Sequence, residues 1–159
     1  MRKFLFFVLF PFILFSQNWT TSSNFIGDGR HHPITFANDN YGFVVSGSYL
    51  NDVFKYDKIN DTWIQLSDFP GSGRGYSYGV SIGDYAYIGF GSTDNGTFPT
   101  DWWRYNMLND SWLQLSNFIG DGRNHPAMVV VNNKIYVGCG SNDNGNLGDW
   151  WEYDVLSDS

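Results

Sequence analysis

The decisive stretch of this sequence is Asp101-Trp102-Trp103-Arg104-Tyr105-Asn106, which a short polar turn separates from Asp110-Ser111-Trp112. Two further copies of this unit are Asp52-Val53-Phe54-Lys55-Tyr56-Asp57 with Asp61-Thr62-Trp63, and Asp149-Trp150-Trp151-Glu152-Tyr153-Asp154 with Asp158-Ser159. The closing tryptophan follows the leading aspartate by 11 residues in the first two copies, so the third copy places its tryptophan at position 160. A repeat of this kind determines the whole architecture of a protein.

Further landmarks keep the same register in every copy. Each tryptophan is followed after 11 residues by an arginine, and each arginine after 17 residues by a glycine. The three sets are Trp19, Trp63 and Trp112, then Arg30, Arg74 and Arg123, then Gly47, Gly91 and Gly140. Only the interval from that glycine to the next leading aspartate varies, at 5, 10 and 9 residues. Length variation confined to one connection is typical of a surface loop on a fixed scaffold.

Each unit divides into four short strands, which we call a to d in chain order. Strand a is clearest at Ala127–Val131, where a continuous apolar run predicts burial on both faces. Strand b is predicted at Tyr85–Phe90, and strand d carries the closing tryptophan. In strand c, alternation places Trp103 and Tyr105 on one face and Trp102 and Arg104 on the other. The 14 Phe, 10 Tyr, 7 Trp and 18 Gly residues also favour an all-β fold.

This order of landmarks resembles the kelch repeat: a glycine-rich stretch ending in arginine, two strands, an Asp-x-aromatic-x-Tyr strand and a closing tryptophan. The resemblance covers residues 17–159, with units of about 19–63, 63–112 and 112–159. It implies four-stranded blades of a β-propeller. The sequence departs from the kelch pattern at Ser46-Gly47, Phe90-Gly91 and Cys139-Gly140, where the family usually has a glycine pair.

Three units are fewer than the four to eight blades that close a propeller ring. We therefore expect a partial, open propeller whose last blade is incomplete. The segment Trp19-Thr20-Thr21 matches a strand d without the other strands of its blade. In kelch-like proteins such a strand commonly completes the final blade. The remaining blades are expected from a longer chain or from self-association.

Residues 1–16 match a secretory signal peptide, with Arg2 and Lys3 before an apolar run from Phe4 to Phe15. We expect a bacterial protein that is secreted or held at the cell surface, with no membrane span after cleavage. The formal net charge of −7 becomes −9 once Arg2 and Lys3 are removed, which argues against a nucleic-acid partner. With the single cysteine Cys139, no internal disulfide is expected.

A meander of four strands places the b–c and d–a loops of every unit at the same end. A propeller of this kind would bring Arg30, Arg74 and Arg123 to the mouth of the central channel, and this face is the candidate binding site. The accompanying candidates are His32, His125, Asp28 and Asp121. The competing interpretation, which we favour, is that the repeated arginines and histidines form hydrogen bonds between blades. No metal or other cofactor is expected, because no local ligand spacing supports one.

The sequence predicts a non-catalytic binding or interaction scaffold for a protein or glycan ligand. Two alternatives remain open: a propeller enzyme on sugars that resembles sialic acid mutarotase, in which the arginines would serve an anionic sugar, and a cell-surface adhesion scaffold. The tyrosine, cysteine and histidine set of galactose oxidase-like enzymes cannot be placed. The pairs Trp102-Trp103 and Trp150-Trp151 are interpreted as packing residues in preference to a sugar platform.

Overall fold

The computed structural model describes residues 19 to 158, which form strands, turns and loops without any helix. The all-β prediction is therefore confirmed for this range, whereas the predicted signal peptide lies outside the described residues. The strands are β1 (Ile34–Ala37), β2 (Tyr41–Val45), β3 (Val53–Asp57), β4 (Thr62–Gln65), β5 (Tyr78–Ile82), β6 (Tyr85–Gly89), β7 (Trp102–Asn106), β8 (Ser111–Gln114), β9 (Ala127–Val131), β10 (Lys134–Gly138), β11 (Ser141–Asn142), β12 (Gly145–Asn146) and β13 (Trp150–Asp154).

The strands form successive antiparallel sheets that follow the repeat. Sheet 1 has the order β1-β2-β3-β4 and sheet 2 the order β5-β6-β7-β8, so both are four-stranded meanders as predicted. Sheet 3 contains β9, β10 and β13, three strands within the described residues. The small hairpin of β11 and β12 lies in its b–c loop.

The first strands of the three sheets lie side by side. Strand β5 contacts β1 on one side and β9 on the other. The hydroxyl of Ser81 in sheet 2 donates a hydrogen bond of 2.8 Å to the carbonyl of Ala37 in sheet 1. Strand a of each unit is therefore the inner strand, an arrangement compatible with a partial β-propeller.

Two hydrophobic cores fill the spaces between neighbouring sheets. The first joins Phe43 and Val45 of sheet 1 to Tyr105 of sheet 2, and Trp103 packs against it. The second joins Trp102 of sheet 2 to Val137 of sheet 3. Adjacent residues of strand c therefore serve different cores, as the alternation predicted.

The prediction that Ala127–Val131 is buried on both faces is wrong. The side chains of Val129 and Val131 remain 45% and 50% exposed. Only the side toward β5 is covered, because no further sheet within residues 19–158 packs on the other side. A run of apolar residues shows that a strand can be buried on both faces. Whether it is buried depends on the presence of a neighbouring sheet.

In each sheet, a tyrosine–aspartate pair also forms hydrogen bonds with the chain segment that leads into the sheet. The hydroxyl of Tyr105 donates to Asp110 at 2.9 Å, and Asp110 accepts the backbone N–H of Ser67 at 3.0 Å. Since Ser67 follows sheet 1 and Asp110 belongs to sheet 2, the pair links neighbouring sheets. The same contacts recur as Tyr56–Asp61–Ser23 and Tyr153–Asp158–Ser116.

We expect Gly91→Ala to destabilise the fold by about 1–3 kcal/mol more than Gly96→Ala. Both glycines have positive φ, +84° and +79°, so alanine carries a similar backbone penalty at each. A Cβ at Gly91 would lie 2.5 Å from the carbonyl oxygen of Gly75, whereas one at Gly96 meets nothing within 4 Å. Guanidinium unfolding of the two variants measures the difference, and equal losses would contradict the close packing at Gly91.

Candidate binding face

The three repeat arginines are buried and paired, each with the leading aspartate of its own unit. Arg74 binds Asp101 through two parallel hydrogen bonds of 2.9 and 2.8 Å. The Arg74 side chain is fully buried, with 0% of its surface exposed. The equivalent pairs are Arg30 with Asp52 and Arg123 with Asp149.

Each guanidinium also donates hydrogen bonds to backbone carbonyls and lies close to an aromatic ring. In Arg74, Nε donates to the carbonyl of Ser72 and Nη1 to the carbonyl of Phe90, at 3.0 and 3.2 Å. The guanidinium carbon lies 4.8 Å from the centre of the Phe69 ring, within cation–π distance. The arginine donors are therefore directed at protein groups, not at the surface.

The paired aspartates are held in their ionised form. Hydrogen bonds from Arg123, assisted by Trp151 and by the arginine charge, lower the pKa of Asp149 to about 2. Burial opposes ionisation of Asp101, but its hydrogen bonds with Arg74 and the arginine charge outweigh burial and lower its pKa below the ordinary value. A carboxyl group with a lowered pKa is a poor proton donor near neutral pH.

The backbone of each arginine joins the sheets. The N–H of Gly47, which follows β2 of sheet 1, donates to the carbonyl of Arg74 at 2.9 Å, and the N–H of Gly91, which follows β6 of sheet 2, donates to the carbonyl of Arg123 at 2.8 Å. The arginine positions thus combine an ion pair within a unit and a hydrogen bond between units. This geometry favours the structural interpretation of the arginines.

Two residues after each arginine, a ring side chain projects toward the neighbouring units. The centre of the Tyr76 ring lies 4.2 Å from that of His32 and 4.7 Å from that of His125. The two histidine rings are 5.4 Å apart. His32 and His125 are exposed, and Tyr76 is partly so. We call His32, Tyr76 and His125 the axial rings, because each comes from the segment just before an inner strand.

The axial rings share an unusual backbone conformation. Their φ angles are 50° at His32, 59° at Tyr76 and 49° at His125. Positive φ is uncommon in residues other than glycine, and costly for a bulky one such as tyrosine. Beside His32 and Tyr76, a small cavity of about 130 Å³ opens between β1 and β5.

The loops of variable length lie on the same side as the arginine loops. Gly122, just before Arg123, packs on the backbone of Phe98 in the b–c loop of sheet 2. Its carbonyl accepts a 3.0 Å hydrogen bond from Asn142 in the b–c loop of sheet 3. The loop tips turn at Gly96 and Gly145, both of which have positive φ angles. The axial rings and these loops together form what we call the binding face.

The remaining predicted residues take lesser positions. Asp28 and Asp121 are exposed, and their backbone carbonyls accept hydrogen bonds from Arg30 and Arg123. Within residues 19–158, no group of three or more His, Cys, Asp or Glu residues could hold a metal ion. The same residues contain no helix long and apolar enough to cross a membrane.

Two sets of residues were missed at the sequence level. Tyr76 was overlooked because it differs from His32 and His125, although it has the same offset from the arginine. The partners of the arginines were overlooked because the variable b–c interval separates each arginine from its aspartate. The one sequence signal for these partners was that an aspartate, Asp52, Asp101 or Asp149, begins strand c in every unit.

The fold and this face define an all-β repeat protein with blade-like antiparallel sheets. No protein-family model and no curated protein matches the chain.

Proposed function

We propose that the chain belongs to an exported protein of the kelch-repeat type whose binding face holds a neutral saccharide without chemical conversion. The observation that supports this proposal is that the three axial rings, of which His32 and His125 are exposed, contact one another on the side of the sheets where the loops vary in length.

The chemistry of the face suits a sugar ring. Aromatic and imidazole rings offer an apolar face and a polar edge, which match the apolar face and hydroxyl groups of a pyranose. The amide of Asn124 lies next to His125, with an oxygen to nitrogen distance of 3.4 Å. These groups can both donate and accept hydrogen bonds.

Charge argues for a neutral ligand. The formal net charge of the chain is −7, so an anionic ligand would meet repulsion at long range. An enzyme acting on anionic sugars would need free cations, and each of the three repeat arginines is paired with an aspartate. A non-catalytic binder is therefore better supported than the sialic acid mutarotase-like alternative.

The variant Tyr76→Gly tests the proposal. Glycine accepts the φ of 59° without strain, so the ring is removed while the backbone is retained. We expect affinity for a neutral oligosaccharide, found on a glycan array and measured by calorimetry, to fall at least about ten-fold, with the thermal midpoint preserved.

The matched control is Tyr85→Ala, which removes a partly exposed ring at the opposite end of sheet 2. It should leave saccharide binding unchanged. The proposal fails if the array shows no neutral glycan bound at millimolar affinity or better, or if Tyr76→Gly and Tyr85→Ala bind alike.

A further inference from the structure

The b–c loops of sheets 2 and 3 each contain an asparagine followed by a glycine. The pairs are Asn95-Gly96 and Asn144-Gly145, and both follow an aspartate in a turn at the loop tip. Both asparagines are exposed. In such a pair, the backbone nitrogen of the glycine can attack the side-chain amide of the asparagine, because glycine has no Cβ to hinder the approach. The surroundings of the two pairs therefore decide which one reacts.

The side chain of Asn95 is held in place by two threonines. Its Oδ1 accepts hydrogen bonds of 2.5 Å from Oγ1 of Thr93 and 3.1 Å from Oγ1 of Thr97. The N–H of Gly96, which contains the attacking nitrogen, donates to the carbonyl of Thr93 at 3.0 Å. Attack requires the amide to leave both hydroxyl groups and the N–H to be released. The hydrogen bonds of this turn therefore oppose the reaction.

The side chain of Asn144 lacks these restraints. Within the part of the chain that the structure describes, its amide forms no hydrogen bond, whereas its backbone N–H donates to Oδ1 of Asn142 at 2.9 Å. Asn142 occupies the place that Thr93 has in sheet 2. Asn146 occupies the place of Thr97. Both hydroxyl donors are therefore replaced, and the amide of Asn144 can rotate in solvent.

The attacking nitrogen at this site belongs to a hairpin that opens easily. Gly145 begins β12, which pairs with β11 through two residue pairs, Ser141 with Asn146 and Asn142 with Gly145. An isolated two-stranded hairpin is at best marginally stable in water, and exposed loops open at low cost in free energy. The amide and the glycine nitrogen can therefore meet without unfolding of sheet 3.

We propose that Asn144 is a site of spontaneous deamidation and that Asn95, its equivalent in sheet 2, is protected. The nitrogen of Gly145 forms a bond to Cγ of Asn144, and the bond from Cγ to Nδ2 breaks. The proton lost from the glycine nitrogen passes through solvent to the departing group, which leaves as ammonia. Water then opens the cyclic imide at either carbonyl carbon. The products are aspartate and isoaspartate, in which the backbone runs through the former side chain.

The reaction changes the charge and the backbone of one loop of the binding face. A carboxylate replaces a neutral amide in the b–c loop of sheet 3. Asn142 of the same turn donates a 3.0 Å hydrogen bond to the carbonyl of Gly122, next to the buried Arg123. Isoaspartate adds a methylene group to the backbone of this turn and so disturbs the pairing of β11 with β12. The loop of sheet 3 thus changes as the protein ages, while the loop of sheet 2 does not.

Incubation of the full chain in mildly alkaline buffer, followed by isoelectric focusing and peptide mass mapping, tests the proposal. We expect a more acidic species that accumulates with time and carries its change at Asn144. Asn144 should react at least about ten-fold faster than Asn95, a ratio that corresponds to about 1.4 kcal/mol of activation free energy. Asn144→Gln should remove the acidic species, because attack on the longer side chain must close a larger ring and is far slower.

Two controls separate the effect of the fold from that of the local sequence. In concentrated urea the two asparagines should react at similar rates, because each follows an aspartate and precedes a glycine. In the folded chain, Thr93→Val removes a hydroxyl donor with little change of shape. This variant should accelerate the reaction at Asn95 and leave that at Asn144 unchanged.

Three outcomes overturn the proposal. Equal rates at Asn144 and Asn95 in the folded chain would show that the threonine hydrogen bonds give no protection. An acidic species that persists in Asn144→Gln arises at another residue. An unchanged rate at Asn95 in Thr93→Val would assign its protection to a different cause. None of these measurements involves a saccharide, so this proposal and the proposed function fail independently.

Discussion

We expect Asp101→Ala to lower the free energy of unfolding by about 3–5 kcal/mol, the range for removing one partner of a buried ion pair. The cost arises mainly at Arg74, whose fully buried guanidinium would lose its counter-charge and two hydrogen bonds. The indole N–H of Trp103, which donates to Asp101 at 2.7 Å, would also lose its acceptor. Guanidinium unfolding followed by tryptophan fluorescence measures the loss.

Two further variants separate the pair from the loss of a negative charge. Asp68→Ala removes an exposed carboxylate from the loop that precedes Arg74 and should change stability by less than about 0.5 kcal/mol. Combining Asp101→Ala with Arg74→Met should recover much of the loss, because no uncompensated charge stays buried. A single variant as stable as Asp68→Ala would show that the pair is not coupled to folding.

Phe69→Ala is expected to cost about 3–5 kcal/mol, as for other buried phenylalanines. The Phe69 side chain is fully buried, and its ring packs edge-on against Trp103 and Trp112, 5.6 and 5.0 Å between centres. Its loss would open a cavity in the core that joins sheets 1 and 2. Thermal and guanidinium unfolding measure the effect.

The matched variant is Phe118→Ala, at the equivalent position of the next unit. Phe118 is half-buried and borders a cavity of about 320 Å³ between sheets 2 and 3, so its truncation should cost clearly less. Equal costs would mean that the space beside Phe118 is filled in solution. In that case the difference between the second and third units would have to lie elsewhere.

Much of the architecture could be predicted from the spacing of a few residue types. Alternation along Trp102–Asn106 correctly placed Trp102 and Trp103 toward different cores, because successive side chains of a strand must point to opposite faces. The fixed intervals from tryptophan to arginine to glycine located the inner strand of each sheet. Local geometry of this kind depends only on residues that are close together in the sequence.

The candidate site was predicted less well. The sequence pointed to the arginine loops, and the loops do form one face, but the arginine side chains turn inward to Asp52, Asp101 and Asp149. The axial rings were only partly anticipated, because Tyr76 replaces histidine in the second unit. Pairing across a loop of variable length has no fixed spacing, so periodicity cannot reveal it.

The sequence by itself determined the strand order, the sheet boundaries and the equivalence of Trp19 with Trp63 and Trp112. Only the tertiary structure decided which equivalent residues differ in surroundings: Val129 is exposed, Phe118 borders a cavity and Trp19 lies in water. The physical reason is that burial is a property of neighbouring sheets. A repeat places equivalent side chains in each unit, but a unit at the end of the described chain has a neighbour on one side only.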